Sequence, residues 1–196
     1  MKTVANLFFP ALFLFLLSAC GHKKNDGKEK FFPVLSIIQS QVKHVDTSLY
    51  TIRKIIFHDS LKNDTLYIPR EEFRQEAQDF LAIPDISATE YSDRFTETKD
   101  FYPELNRASF LCLPVNPEKE EIQRQEVLLR PGNHVVEDRI TNIIINSLVN
   151  TKDSSVQKKM MWTIDKSFQV TTIRQLKNQE EKISTFRIVW NEEEQE

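Results

Sequence analysis

Apolar positions near the start of the folded region follow a helical period. A helix predicted over residues 33–46 carries four apolar residues on one face, at spacings of three or four: Val34, Ile38, Val42 and Val45. A second helix is predicted over residues 69–82, after Pro69, from the stripe Phe73, Ala77, Phe80 and Leu81. Two short strands are expected between these helices, at Leu49–Phe57 and Thr65–Ile68.

From residue 90 onward the apolar pattern alternates, which is typical of strands. Seven strands are predicted: Tyr91–Lys99, Arg107–Leu113, Ile122–Arg130, Asp138–Val149, Val156–Ile164, Phe168–Leu176 and Ile183–Trp190. Short polar turns separate the last four, so these strands must run antiparallel, because parallel neighbours need a long crossover. The predicted fold class is α+β, with two early helices packed on a curved, mainly antiparallel meander sheet of about seven strands.

The first 19 residues have the pattern of a secretory signal. One lysine precedes an apolar run that is too short to cross a bilayer as a helix. The junction Leu17-Ser18-Ala19-Cys20 resembles the lipobox of bacterial lipoproteins. That resemblance implies a diacylglycerol thioether at Cys20, cleavage just before it and acylation of the new amine. In this family, Gly21 after the cysteine implies transfer to the outer membrane, and the lysines that follow favour its periplasmic face.

The chain therefore divides into four parts. Residues 1–19 are the signal peptide, 20–30 the lipidated cysteine and a flexible tether, 31–190 a single α+β domain and 191–196 an acidic tail. The tether holds four lysines and no apolar period, so it is either a solvated spacer or a basic segment that touches anionic lipid.

Composition excludes several classes of function. The net charge of −3 gives no general attraction to nucleic acid, so no nucleic-acid partner is expected. Only three glycines occur, which excludes a glycine-rich phosphate loop and a dinucleotide-binding fingerprint, and no cofactor is expected. Two cysteines cannot form a disulfide framework or a four-thiolate zinc site.

No catalytic or metal site emerges from the reactive side chains. Cys112 lies in an apolar strand, which raises the pKa of a thiol and predicts a buried, inert cysteine. The histidines with nearby carboxylates are more typical of solvated surface groups: His44 with Asp46, His58 with Asp59, and His134 with Glu137 and Asp138.

Aromatic residues concentrate on the final strands. Trp162, Phe168, Phe186 and Trp190 are predicted to line an apolar, ligand-binding cleft inside the curved sheet, and Phe101-Tyr102 are further candidates for its lining. The alternative is that these side chains form ordinary core.

These patterns predict a non-enzymatic periplasmic lipoprotein, attached to the membrane by its lipid, that binds an apolar, lipid-like ligand or an envelope protein. The layout, though no motif, resembles the convex-sheet lipoprotein carriers of the periplasm. The alternative is a structural or assembly accessory of the outer membrane that acts through protein contacts at an exposed sheet edge. An envelope hydrolase is a third class, with no motif behind it.

The anchor gives a direct prediction. Labelled palmitate should enter the protein, because the lipobox and the short apolar run together imply acylation at Cys20. The variant Cys20→Ala should lose the label, as measured by autoradiography of the immunoprecipitated protein. Labelling that persists in this variant would refute the anchor.

Overall fold

The computed structural model describes residues 31–58, 62–132 and 137–191. Three α-helices occur in this part of the chain: α1 Val34–Asp46, α2 Arg70–Glu76 and α3 Gln78–Leu81. Nine strands are present: β1 Arg53–Phe57, β2 Asp64–Tyr67, β3 Phe95–Tyr102, β4 Arg107–Pro114, β5 Ile122–Arg130, β6 Arg139–Asn150, β7 Ser154–Thr163, β8 Ser167–Leu176 and β9 Lys182–Val189. Short 3-10 helices at Thr89–Tyr91, Pro103–Leu105 and Pro117–Lys119 complete the regular structure of the described residues. No helix among the described residues is long and apolar enough to cross a membrane.

All nine strands belong to one antiparallel sheet, in the order β2-β1-β9-β8-β7-β6-β5-β4-β3. Strands β3 to β9 follow one another as a meander, as their short connections require. The two early strands extend the sheet beyond β9, where Ile55 of β1 lies opposite Arg187 of β9. The first and last strands of the domain are therefore direct neighbours.

The α+β class is confirmed, but the predicted counts of strands and helices are wrong. The sheet has nine strands rather than about seven, because β1 and β2 join the meander instead of standing apart from it. The single helix predicted over 69–82 is two helices, which meet at Ala77 with φ −83° and ψ 3°. The spacing of apolar residues predicted each segment separately. The pairing of β1 with β9 is a long-range contact, and local spacing carries no information about it.

Helix α1 buries the stripe that its sequence predicts. Val34, Ile38, Val42 and Val45 are all buried. The helix is tied to the turn between β7 and β8 by a reciprocal pair of hydrogen bonds. Gln41 Nε2 donates to Asp165 Oδ1 at 2.9 Å, and the Asp165 backbone N–H donates to Gln41 Oε1 at 2.8 Å. Asp165 has φ 59°, a left-handed conformation that aspartate tolerates in turns.

Helices α2 and α3 lie on the connection between the two edges of the sheet. The chain leaves β2 at one edge and must reach β3 at the other, a span of about 38 Å at roughly 4.8 Å between neighbouring strands. Phe73 of α2 and Phe80 of α3, which lie on this connection, are fully buried. Their rings lie 6.5 Å and 5.1 Å from Trp162 of β7, and this long connection therefore contacts the central strands.

Removing either buried ring should destabilise the protein strongly. Phe73→Ala and Phe80→Ala should each lower the free energy of unfolding by about 3–5 kcal/mol, because each removes a fully buried aromatic ring. Urea denaturation followed by circular dichroism measures this loss. Tyr67→Ala is the matched control, since Tyr67 is 73% exposed and its removal should change stability by no more than about 0.5 kcal/mol. Losses below about 1 kcal/mol from both phenylalanine variants would show that α2 and α3 do not cover the sheet.

Candidate functional site

The four aromatic residues predicted to bind a ligand form one group, the aromatic cluster: Trp162, Phe168, Phe186 and Trp190. Trp162 and Phe168 are directly opposed on β7 and β8, and their rings stack at 4.9 Å. Trp190, just after β9, lies 5.5 Å from Trp162. Phe186 contacts Phe168 edge-on at 6.2 Å. Neighbouring strand registers bring these residues together.

Helical aromatic residues fill the space in front of the cluster. Phe73 lies 5.2 Å from Trp190, and Phe80 lies 5.4 Å from Phe168. Trp162, Phe168 and Trp190 are each at least 97% buried as a result. A ligand could occupy this site only if the phenylalanines of α2 and α3 moved away. Ligand binding by the cluster stays a prediction.

Two polar groups inside the cluster are unsatisfied. The indole N–H groups of Trp162 and Trp190 are buried, and neither has a hydrogen-bond acceptor among the described residues. An indole nitrogen can only donate, and leaving a buried donor unpaired costs roughly 1–3 kcal/mol. The aromatic cluster is therefore a tightly packed apolar core that contains two indole N–H groups without acceptors among the described residues.

Phe101 and Tyr102, the other lining candidates, do not join the cluster. They end β3, and three strands separate β3 from β7. Phe101 is 57% exposed and Tyr102 42%. The prediction that they line the same cleft is wrong, because the meander places β3 at an outer edge of the sheet.

Both edges of the sheet are open along the described part of the chain. All four residues of β2 are exposed, and six of the eight residues of β3 are exposed. Each of these strands pairs with a neighbour on one side only. An edge strand presents unpaired backbone N–H and C=O groups, which another strand can bind.

The two described histidine candidates, His44 and His58, have different partners. The His44 ring contacts Tyr50 at 5.9 Å, while the Asp46 carboxylate accepts a long hydrogen bond from Arg74. His58 Nε2 lies 2.9 Å from Asp64 Oδ2, and both side chains are exposed.

Other candidates fall outside the described residues. They include Asp59, His134, residues 192–196, and the whole N-terminal region with Cys20. Of the third histidine group, Asp138 accepts a hydrogen bond from the Gly132 backbone N–H at 2.8 Å. Within the described chain, no three or more His, Cys, Asp or Glu side chains are arranged to hold a metal ion.

Cys112 has the environment of a structural cysteine. It is 3% exposed on β4, and its Sγ lies 3.9 Å from the Glu97 carboxylate on β3. Burial is the larger cause and the nearby negative charge of Glu97 the smaller one, and together they raise the pKa of the Cys112 thiol to about 12. A raised pKa keeps the thiol protonated near neutral pH, and the thiolate, not the thiol, is the nucleophile.

Comparison with protein-family models, curated proteins and solved structures finds no match for this chain. The features that distinguish the candidate functions are therefore geometric. They are the filled aromatic cluster, its two unsatisfied indole donors and the open edges of the sheet.

Proposed function

We propose that this chain is a non-enzymatic accessory protein of the bacterial outer membrane, attached by a lipid at Cys20 on the periplasmic side, and that it pairs its β3 edge with an envelope protein. The observation that carries the proposal is the combination of a filled aromatic core and an open edge strand. A carrier needs an apolar cavity, but Phe73 and Phe80 occupy the space in front of the aromatic cluster. The lipobox resemblance supports the anchor.

The β3 edge has the length that strand addition requires. Its eight residues extend for about 26 Å at 3.3 Å per residue, longer than a typical strand of five or six residues. Exposed apolar side chains stand at its end, at Phe101, Tyr102 and, in the turn that follows, Leu105. In strand addition, backbone hydrogen bonds supply affinity and such side chains supply specificity.

Two of the three charged residues of β3, Lys99 and Glu97, pair with each other. Lys99 Nζ lies 3.1 Å from Glu97 Oε2 and 5.0 Å from the centre of the Phe110 ring on β4. Lys99 is thus drawn toward its own sheet, although lysine on an edge strand commonly opposes pairing. The opposite edge, β2, has only four residues and offers about half as many unpaired backbone groups.

The absence of enzymatic activity is part of the proposal. Nucleophilic catalysis needs a nucleophile beside a base. Cys112 is buried as a thiol, and the side chains described around it provide a carboxylate rather than a histidine.

Site-directed photocross-linking in intact cells tests the proposed edge. A benzophenone amino acid at position 101 should give a discrete adduct with another protein, because an added strand would lie about 5 Å from β3. The same probe at position 67 on β2 is the matched control, since Tyr67 is also exposed on an edge strand, and it should give no such adduct.

The anchor provides a second control for this experiment. Cys20→Ala should weaken the adduct from position 101, because the lipid keeps the protein at a high local concentration near membrane partners. Gel shifts followed by mass spectrometry identify the product. Equal adducts from positions 101 and 67, or none from position 101, would contradict edge pairing.

Ligand carriage is the second candidate, and the unsatisfied indoles favour it. A fatty acid would place an acyl chain among the aromatic rings and offer its carboxylate to the N–H groups of Trp162 and Trp190. Displacement of α2 and α3 must accompany such binding, because Phe73 and Phe80 occupy the site.

A fluorescence titration separates carriage from edge pairing. If the protein is a carrier, a fluorescent fatty-acid analogue should quench tryptophan emission of the chain that starts at residue 21. Trp162→Phe, which keeps an aromatic side chain but removes the indole donor, should weaken binding by about 1–3 kcal/mol. Phe101→Ala is the control and should bind normally, since Phe101 lies on β3. Unchanged emission at saturating analogue would exclude carriage and leave edge pairing as the remaining candidate.

A further inference from the structure

Three arginines lie side by side at one end of the sheet. Arg107 begins β4, Arg130 ends β5 and Arg139 begins β6. Arg130 and Arg139 are direct cross-strand partners. Arg107 precedes Ala108, whose partner is Leu129, so Arg107 stands next to Arg130 in the same row. We call these three residues the arginine row.

This arrangement is unfavourable unless something compensates it. Like charges directly opposite each other on neighbouring strands destabilise a sheet. Along the described chain, neither Arg107 nor Arg130 makes an ion pair. Arg139 Nη2 lies 3.8 Å from Asp165 Oδ2, and the other oxygen of Asp165 already accepts a hydrogen bond from Gln41. Two of the three guanidinium groups in the row therefore have no nearby carboxylate among the described residues to offset their charge, and the third has only a distant one.

Other arginines of the same sheet region are paired closely. Arg94 donates to both oxygens of Glu120, at 2.8 Å and 2.6 Å. Arg124 donates to Glu126 at 2.6 Å. Burial raises the pKa of Glu126, but the hydrogen bonds from Arg124 and Ser109 outweigh it and hold the pKa below its usual range. Arg107 and Arg130, by contrast, have no carboxylate partner among the described residues.

A cavity of about 380 Å³ opens beside the row. Its polar lining includes Asn142, Thr163 and Lys166. Asn142 Nδ2 donates to Thr163 Oγ1 at 3.1 Å, which leaves the Thr163 hydroxyl hydrogen available to a ligand. This volume falls within the range of about 300–1,000 Å³ seen for small-molecule sites and exceeds what a bare ion needs.

We propose that the arginine row binds the phosphate group of an organic phosphate ester. Planar guanidinium groups donate two parallel hydrogen bonds to phosphate oxygens, and several of them together favour an anion with more than one charge. The cavity volume provides room for the alcohol part of the ester. A free phosphate ester and the headgroup of an anionic phospholipid share this chemistry. The proposal does not depend on β3 pairing or on the lipid anchor.

Thermal unfolding of the full chain in non-ionic detergent tests the site, with inorganic phosphate and glycerol 3-phosphate as the free probes. Both should raise Tm relative to sodium chloride of equal ionic strength, because a ligand that binds only the folded state stabilises it. Arg107→Gln and Arg130→Gln should each weaken the affinity about tenfold, the loss expected for one charge-assisted hydrogen-bonding partner. The double variant should lose the shift.

Two further variants separate binding from folding. Arg174→Gln removes one exposed positive charge from the far end of β8 and should keep the full shift. Arg130→Lys keeps the charge but loses the two-pronged geometry, and it should bind weakly. Without ligand, Arg130→Gln should have an unchanged or higher Tm, since it relieves repulsion from Arg139. A Tm shift that chloride reproduces, or that survives in the double variant, would overturn the proposal.

A lipid arm identifies the source of the phosphate. Micelles doped with phosphatidylglycerol are compared with micelles doped with phosphatidylcholine, which is zwitterionic. If phosphatidylglycerol raises Tm no more than glycerol 3-phosphate does, the ligand is a free phosphate ester. A shift that is larger with phosphatidylglycerol than with phosphatidylcholine, and that the double variant abolishes, supports a lipid headgroup. Failure of every phosphate probe refutes the site.

Discussion

Strand β1 pairs with β9 along five opposed residues, from Arg53–Val189 to Phe57–Thr185, although nearly the whole domain separates them in the chain. This pairing places β2 at one edge of the sheet and β3 at the other. The connection between them must then cross the sheet, and it carries Phe73 and Phe80 onto Trp162. Because the β1–β9 pairing joins segments that are far apart in the chain, we expect the domain to fold more slowly than a local helical bundle would.

The same crossing decides what the aromatic cluster can do. Four aromatic residues on adjacent strands would form an open apolar face if the helices were absent, and that face would suit an acyl chain. With Phe73 and Phe80 in place, the face becomes core and loses its space for a ligand. The two buried indole donors are the part of this core that remains unsatisfied. Ligand carriage therefore requires α2 and α3 to move away from the sheet, whereas strand pairing at the β3 edge does not.

The proposed contact surfaces lie on the periphery of the sheet. The β3 edge offers unpaired backbone groups beside Phe101 and Tyr102, and it suits an added strand. The arginine row stands where strands β4, β5 and β6 begin or end, beside a cavity with room for more than the phosphate group of an ester. Hairpin connections produce the row, because in an antiparallel meander the end of one strand meets the beginning of the next.

Sequence alone determined the local elements, because apolar period is a local property that reflects which face is buried. It predicted the α1 stripe and the inert environment of Cys112, and it placed the four aromatic residues on neighbouring strands. Tertiary structure alone decided that β1 joins β9, that the predicted second helix breaks at Ala77, and that Phe101 lies at an edge away from Trp162. It also assembled the arginine row from three separate strand ends. These outcomes depend on register and long-range pairing, which are set by the packing of the whole sheet and not by any single segment.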